Sequence, residues 1–321
     1  MIFFGAAKGK NIIEFVCEIY TTWSGRWMGL SYFFIMIAGG NTFQNTHYYI
    51  FIYYCLTFLI FSYSVHTIIH IGITKLFDTS LPKKTTYIYS ILFIASFYFF
   101  TFQHIEAWWW VCASFWYLQG IVFFLLGIAL LLQEKKNILH YIFISLCFIY
   151  VGGSFEVYIL IIFTLFISVI FYFLFIKQEE LSSLKNNYFF KGFIIAFLSF
   201  CVSAAICFAS PGNKNRQLYS IDTTTTFFAD FETSFTQLKY LLAIGISALW
   251  IILGVQLNTH AHKPENTTRI KKALTIAALP LLLSIIITFA FQILILSETP
   301  IPARGWTFTS LTLSFFAAFY F

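Results

Sequence analysis

Long apolar runs without Asp, Glu, Lys or Arg dominate the chain, and the longest extends over 27–74. A membrane-spanning helix needs about 20 mainly apolar residues. Lipid offers no hydrogen bonds to the backbone, so such runs are helical. The pattern predicts an all-α polytopic transmembrane helix bundle of about nine spans, near 48–74, 86–103, 119–133, 138–153, 157–176, 190–209, 239–257, 273–296 and 306–321.

The first 47 residues follow a different pattern. One helical face would carry Ile12, Phe15, Val16, Ile19 and Trp23, and another would carry Lys10, Glu14 and Glu18. This spacing predicts an amphipathic helix on the outer membrane surface, although a helix packed on the bundle fits it equally well. The stretch 27–40 is the candidate for a tenth span, but Gly39-Gly40 ends it early, which favours a surface or re-entrant helix. We therefore expect one transmembrane domain over 1–321, with 1–47 at the outer surface and 48–321 forming the bundle.

Composition and charge placement agree with a membrane protein. The chain is 60% hydrophobic and 10% charged, whereas a soluble domain carries about 25% charged residues. The net charge is +6, but the basic residues form no long run, which argues against nucleic acid as a partner. The six cysteines form no CxxC pair, and we expect no metal site. Most Lys and Arg residues fall in alternate loops, which the positive-inside rule assigns to the cytoplasmic side of the cell membrane.

Four short outer segments combine polar residues with aromatic residues or glycines, at 20–27, 104–110, 151–156 and 209–216. In the first, Arg26 lies between Trp23 and Trp27, so it can stack on indole and bind a phosphate, or it can anchor the chain at the interface. In the second, Glu106 precedes three tryptophans, a setting that suits a general acid or base as well as a solvated loop acid.

The other two segments contain helix breakers. Glu156 follows Gly152-Gly153 at the middle of a predicted helical hairpin, where an acid has either a functional role or a helix-capping role. Asn213 and Arg216 follow Pro211-Gly212 at the start of the longest polar stretch, 210–238, which we interpret as an outer loop. Arg304 lies in a similar setting in the last outer loop; each basic residue suits a phosphate or a snorkelling role.

In this order, TWSGRW, an outer acid before a Trp-rich segment, GGSFE and SPGNKNR resemble an uncharacterised bacterial family of polytopic membrane proteins. That family is similar in layout to the membrane-embedded GT-C glycosyltransferases. The resemblance implies sugar transfer from a polyprenyl-phosphate-linked donor at the outer membrane face. It implies acid roles for Glu106 and Glu156. Donor binding would fall to Trp23, Arg26, Asn213, Arg216 and Arg304.

We expect no bound cofactor, although a divalent cation is compatible with the sequence, and membrane lipid is an expected partner. Such proteins begin with a spanning helix and an outer loop bearing Asp, whereas only Glu14 and Glu18 precede Trp23 here. We therefore expect the chain to be a fragment that lacks an N-terminal span. The alternative functions are a transporter or lipid flippase, which would carry charges near the bilayer midplane, and a non-catalytic membrane scaffold.

The charge bias predicts the topology. Loops at Lys84, Lys136 and Lys271 should face the cytoplasm, whereas those at Glu156 and Arg216 should face outward. Single cysteines at these positions, labelled with an impermeant reagent in intact cells, measure the orientation. Strong external labelling at 136 or 271 would contradict the assignment.

Overall fold

The computed structural model describes residues 9–35, 46–77, 82–100, 109, 114–134, 137–171, 188–220 and 285–286. Regular secondary structure within these ranges is entirely helical. The helices are α1 (Ile12–Thr22), α2 (Trp27–Phe33), α3 (Thr46–Phe77), α4 (Lys83–Phe100), α5 (Leu118–Leu132), α6 (Ile138–Gly152), α7 (Glu156–Phe171), α8 (Tyr188–Phe208) and α9 (Pro211–Ser220). The predicted spans beyond 220 lie outside the described residues, apart from the helical pair 285–286.

Two helices in the described ranges are long and apolar enough to cross a membrane. They are Tyr48–Ile71, within α3, and Tyr188–Phe208, which is α8. Three further apolar helices are shorter: Leu118–Leu132, Ile138–Gly152 and Glu156–Ile170. The helices α3 to α8 begin and end within a few residues of the predicted spans.

The chain divides into two compact units, Met1–Phe61 with Trp108–Asp222, and Ser62–Ala107 with Thr223–Phe321. In the first unit, α6 packs between α5 and α8, and α7 lies against α6 and α8. Phe166 joins these helices through ring contacts with Phe148 of α6 and with Phe193 and Phe200 of α8, at centroid distances of 5.2–5.5 Å. Aromatic packing therefore forms the core of this unit.

Glycines bring the helices of the first unit into close contact. A Cβ atom added to Gly152 of α6 would lie 2.6 Å from the carbonyl oxygen of Phe200 in α8. A Cβ added to Gly127 of α5 would lie 2.7 Å from the ring of Phe148. Small residues at such positions let helix backbones approach each other where lipid provides no hydrophobic force between helices.

The same helices carry exposed apolar faces. On α6 the exposed side chains are Ile138, Leu139, Ile142, Phe143 and Leu146. On α8 they are Ile194, Leu198, Val202, Ile206 and Phe208. Exposed apolar side chains that cluster on packed helices are typical of surfaces that contact a membrane or another protein. This surface indicates that the unit associates with a membrane.

In the second unit, His66 of α3 packs against α4. Its ring stacks on that of Tyr87 at 4.2 Å, and its Nδ1 lies 3.5 Å from the hydroxyl of Ser90. The ring of His70, one turn further along α3, lies 6.1 Å from that of His66. The contacts of His66 with Tyr87 and Ser90 join the second half of α3 to α4.

The close approach of α6 and α8 predicts the effect of Gly152→Val. The added atoms meet the backbone of Phe200, so the helices must separate, and we expect a loss of about 1–3 kcal/mol in the free energy of unfolding. Denaturant unfolding in detergent measures it. Ala205→Val, at an exposed position of α8, is the control. Equal losses in both variants would contradict the packing.

Candidate functional site

The N-terminal segment begins with a helix docked on protein. The side chain of Asn11 accepts a hydrogen bond from the Glu14 backbone N–H at 2.9 Å, and the Glu14 carboxylate accepts one from the Asn11 N–H at 3.1 Å. This reciprocal cap starts α1. Phe15 and Ile19 are buried on its inner face, and Phe15 stacks on Phe33 of α2. The structure therefore shows α1 packed against other helices of the first unit. Contact of its outer face with lipid stays a prediction.

Asn213 holds the corner between α1 and α2. Its Oδ1 accepts a hydrogen bond from the Gly25 N–H at 2.9 Å, and its Nδ2 donates to the Cys207 carbonyl oxygen at 2.9 Å. A Cβ added to Gly25 would lie 2.0 Å from that same oxygen, so only glycine fits there. The corner is therefore attached to the last turn of α8 through both groups of one amide.

The prediction of a loop over 210–238 is wrong at its start, where α9 (Pro211–Ser220) forms a helix. The hydroxyl of Ser210 accepts a hydrogen bond from the Gly212 N–H at 3.2 Å and donates one to the Tyr20 carbonyl of α1. Serine before the first turn and proline at its first position are favoured at helix starts. The Ser-Pro pair is thus the signal that could have predicted this helix.

The glycine-rich segment after α6 meets the other side of the corner. The Met28 N–H donates to the Gly153 carbonyl oxygen at 3.2 Å, and the Trp27 ring N–H donates to the Ser203 carbonyl at 3.4 Å. A Cβ on Gly153 would lie 2.7 Å from Met28 and 2.8 Å from Trp27. The absence of a side chain at Gly153 therefore allows α2 to begin directly against the turn that precedes Glu156.

Arg26 and Glu156 form a buried ion pair at this junction. The Nη2 and Nε atoms of Arg26 lie 2.9 and 3.0 Å from the same carboxylate oxygen, Oε2 of Glu156. The two side chains are only 15% and 5% exposed. The guanidinium also lies 4.7 Å from the ring centre of Phe155 and 5.8 Å from that of Trp116, within cation–π range. Within the part of the chain that the structure describes, Nη1 of Arg26 has no hydrogen-bond partner.

The surroundings keep Arg26 charged. Burial lowers the pKa of the guanidinium, but attraction by the Glu156 carboxylate, with a smaller contribution from Tyr117, raises it above its ordinary value. A buried charge is tolerated only when an opposite charge and hydrogen bonds replace its water. The pair is thus a fixed dipole at the junction of the segments 20–27, 151–156 and 209–216.

Three of the four segments identified in the sequence therefore meet at one end of the first unit. Arg26 and Glu156 are in contact, and Asn213 supports the backbone next to Arg26. Trp23 ends α1 and is 46% exposed. The backbone of Arg216 lies in α9, at the same junction.

Glu106 and Arg304 lie outside the described residues, so the acid role of Glu106 and the donor-binding role of Arg304 stay predictions. Trp116, Phe155 and Ser210 were not predicted as site residues, although Phe155 and Ser210 lie within two of the four segments. Phe155 is adjacent to Glu156 and could have been suspected, whereas nothing in the sequence marks Trp116. Among the described residues, no group of three or more His, Cys, Asp or Glu side chains is arranged to hold a metal ion.

Comparison of the chain with protein-family models, with curated proteins and with solved structures finds no match.

The geometry predicts how the ion pair affects stability. Glu156→Gln leaves the buried Arg26 charge uncompensated and should lower the free energy of unfolding by about 3–5 kcal/mol. The double variant Arg26→Met with Glu156→Leu removes both charges and should recover most of that loss. Denaturant unfolding in detergent measures both, with Glu134→Gln as the exposed control. A loss under about 1 kcal/mol for Glu156→Gln, the size expected of a helix-terminal acid, would contradict the account.

Proposed function

We propose that the chain is a multi-pass protein of the cytoplasmic membrane and a GT-C-like glycosyltransferase that uses a polyprenyl-phosphate-linked sugar at the outer face. The observation that carries the proposal is the meeting of TWSGRW, GGSFE and SPGNKNR around the Arg26–Glu156 pair. The hydrogen bond from Asn215 to Thr22 joins the first and last of these segments across 193 positions of the chain. Their chemistry, a buried cation beside aromatic rings, suits recognition of a phosphorylated lipid.

The multi-pass arrangement is supported by how the helix ends alternate in the first unit. The start of α5 and the start of α7 lie together, because the rings of Tyr117 and Phe155 are 4.6 Å apart. The end of α5 and the start of α6 lie together, because His140 Nε2 is 2.9 Å from Gln133 Oε1. The chain therefore runs back and forth, with the ion pair at one end and the lysine loop 135–136 predicted at the other.

Glycosyl transfer builds positive charge on the sugar ring and negative charge on the departing phosphate. In the proposed reaction, Arg26 lies where its remaining donors can bond to that phosphate, and Arg216 and Arg304 would add positive charge. The attacking hydroxyl of the acceptor gives its proton to a carboxylate, and the resemblance implies Glu106 or Glu156 for this role. Glu156 is already bonded to Arg26, so Glu106 is the better candidate for this step.

A lipid flippase is the second candidate, and one buried polar contact favours it. Gln119 of α5 is fully buried, and its Oε1 accepts a hydrogen bond from the Thr57 hydroxyl at 3.0 Å. Its Nε2 has no hydrogen-bond partner among the described residues. A polar group inside apolar helices is costly and is a common feature of transport paths. Transfer and transport differ in whether a glycosidic bond forms.

The proposal predicts the effect of Arg26→Lys. Lysine keeps the charge but loses the planar fork, so transfer should fall by about tenfold or more. The assay measures sugar transfer from a polyprenyl-phosphate donor in membranes that contain each variant at equal amounts. Arg269→Lys, on the predicted cytoplasmic side, is the matched control and should retain activity.

Full activity of the Arg26→Lys variant would remove Arg26 from the donor site. Movement of the carrier lipid between leaflets of a vesicle, without transfer, would favour the flippase instead. Neither transfer nor movement by the unmutated chain would contradict both candidates.

A further inference from the structure

We infer that Glu156 is a positioning residue, which orients Arg26 so that its Nη1 edge binds the phosphate monoester that remains on the lipid carrier when the sugar is transferred, and that Glu156 is not the proton acceptor. The inference rests on the proposed function, because it assigns a role at the same site. It departs from the resemblance, which implies an acid role for Glu156.

The first argument is the way in which the pair is joined. Both Nε and Nη2 of Arg26 are bonded to a single oxygen, Oε2 of Glu156. Two bonds to one acceptor fix the direction of the guanidinium within its own plane. Taking up a proton at this oxygen would replace a charged acceptor by a neutral one and weaken both bonds. The carboxylate is therefore suited to hold the arginine rather than to cycle through protonation.

The second argument is what surrounds the remaining parts of Arg26. The centres of the Phe155 and Trp116 rings lie 4.7 and 5.8 Å from the guanidinium carbon. Two aromatic rings therefore contact the guanidinium, in addition to the carboxylate of Glu156 on its Nε and Nη2 edge. The Nη1 edge has no hydrogen-bond partner within the described part of the chain, and the side chain keeps 15% exposure. A preoriented, partly desolvated donor edge matches the oxygen atoms of a phosphate.

The third argument is the rigidity of the support. The backbone next to Arg26 is held by Asn213 through the Gly25 N–H, and the turn before Glu156 is held by the hydrogen bond from Met28 to Gly153. A hydrogen bond therefore holds the backbone near each of the two charged residues. A site whose donor is locked by packing and hydrogen bonds loses little entropy when a ligand binds.

The test measures binding without turnover. The full chain in phosphatidylcholine nanodiscs is titrated with farnesyl phosphate, with farnesol as the ligand that lacks phosphate and phosphatidic acid as a lipid-headgroup phosphate. Glu156→Asp keeps the charge, so the protein is expected to fold, but it withdraws the carboxylate by one methylene. Glu134→Asp, at an exposed position of the opposite helix end, is the matched control.

Glu156→Asp and Arg26→Lys should each weaken farnesyl phosphate binding by about tenfold, as expected when a charge-assisted bond is misaligned. The double variant should bind no more weakly than Arg26→Lys alone, because Glu156 acts only through Arg26. Glu134→Asp should bind like the unmutated chain, and farnesol should respond to none of the changes. Equal competition by phosphatidic acid would support the phosphate site and assign it to a headgroup; failure to compete would support the carrier lipid.

Three results would overturn the inference. Unchanged farnesyl phosphate binding in Glu156→Asp, together with lost transfer and a shifted pH profile, would make Glu156 the proton acceptor. Unchanged binding with a lowered unfolding temperature would make its role structural. Additive losses in the double variant would mean that Glu156 acts independently of Arg26. Variant-sensitive binding without any transfer would instead contradict the proposed function and support the phosphate site.

Discussion

Folding of the first unit depends on the buried ion pair between Arg26 and Glu156. Arg26 and Glu156 are 130 positions apart in the chain, and each is nearly removed from solvent. Neither charge is tolerable alone in such surroundings, so the segments that carry them must meet for the unit to fold. The N-terminal corner, the hairpin between α6 and α7 and the end of α8 therefore depend on one another, although lipid itself supplies little force to bring them together.

The unit also requires close contact between the backbones of neighbouring segments, and glycines allow this contact. Gly25, Gly153 and Gly212 each sit where a Cβ atom would lie within 3 Å of a neighbouring segment. These contacts let backbone N–H groups of the corner reach partners on other segments, as between Gly25 and Asn213. The glycines in TWSGRW, GGSFE and SPGNKNR thus have a steric role, while the charged residues beside them supply the chemistry.

The helices α3 to α8 could be predicted from the sequence because uncharged apolar runs and charged loops alternate clearly along it. Arg26, Glu156 and Asn213 could be named as candidate site residues as well, since polar residues stand out in an apolar chain. Their pairing could not, because nothing local indicates which acid a given arginine will meet. Helix α9 was missed since polar composition outweighed its Ser210-Pro211 start, and Trp116 was missed because nothing in the sequence distinguishes it from the other tryptophans.

The meeting of the N-terminal corner with α9 is the central claim, and disulfide crosslinking in native membranes tests it directly. The Asn215 side chain donates to the backbone carbonyl of Thr22 at 3.5 Å. Cysteines placed at Thr22 and Asn215, in a chain otherwise free of cysteine, should crosslink rapidly under mild oxidation. A pair at Thr22 and Asn137 should not, since Asn137 begins α6 at the opposite helix end. Crosslinking of Thr22 to Asn137 but not to Asn215 would contradict the account.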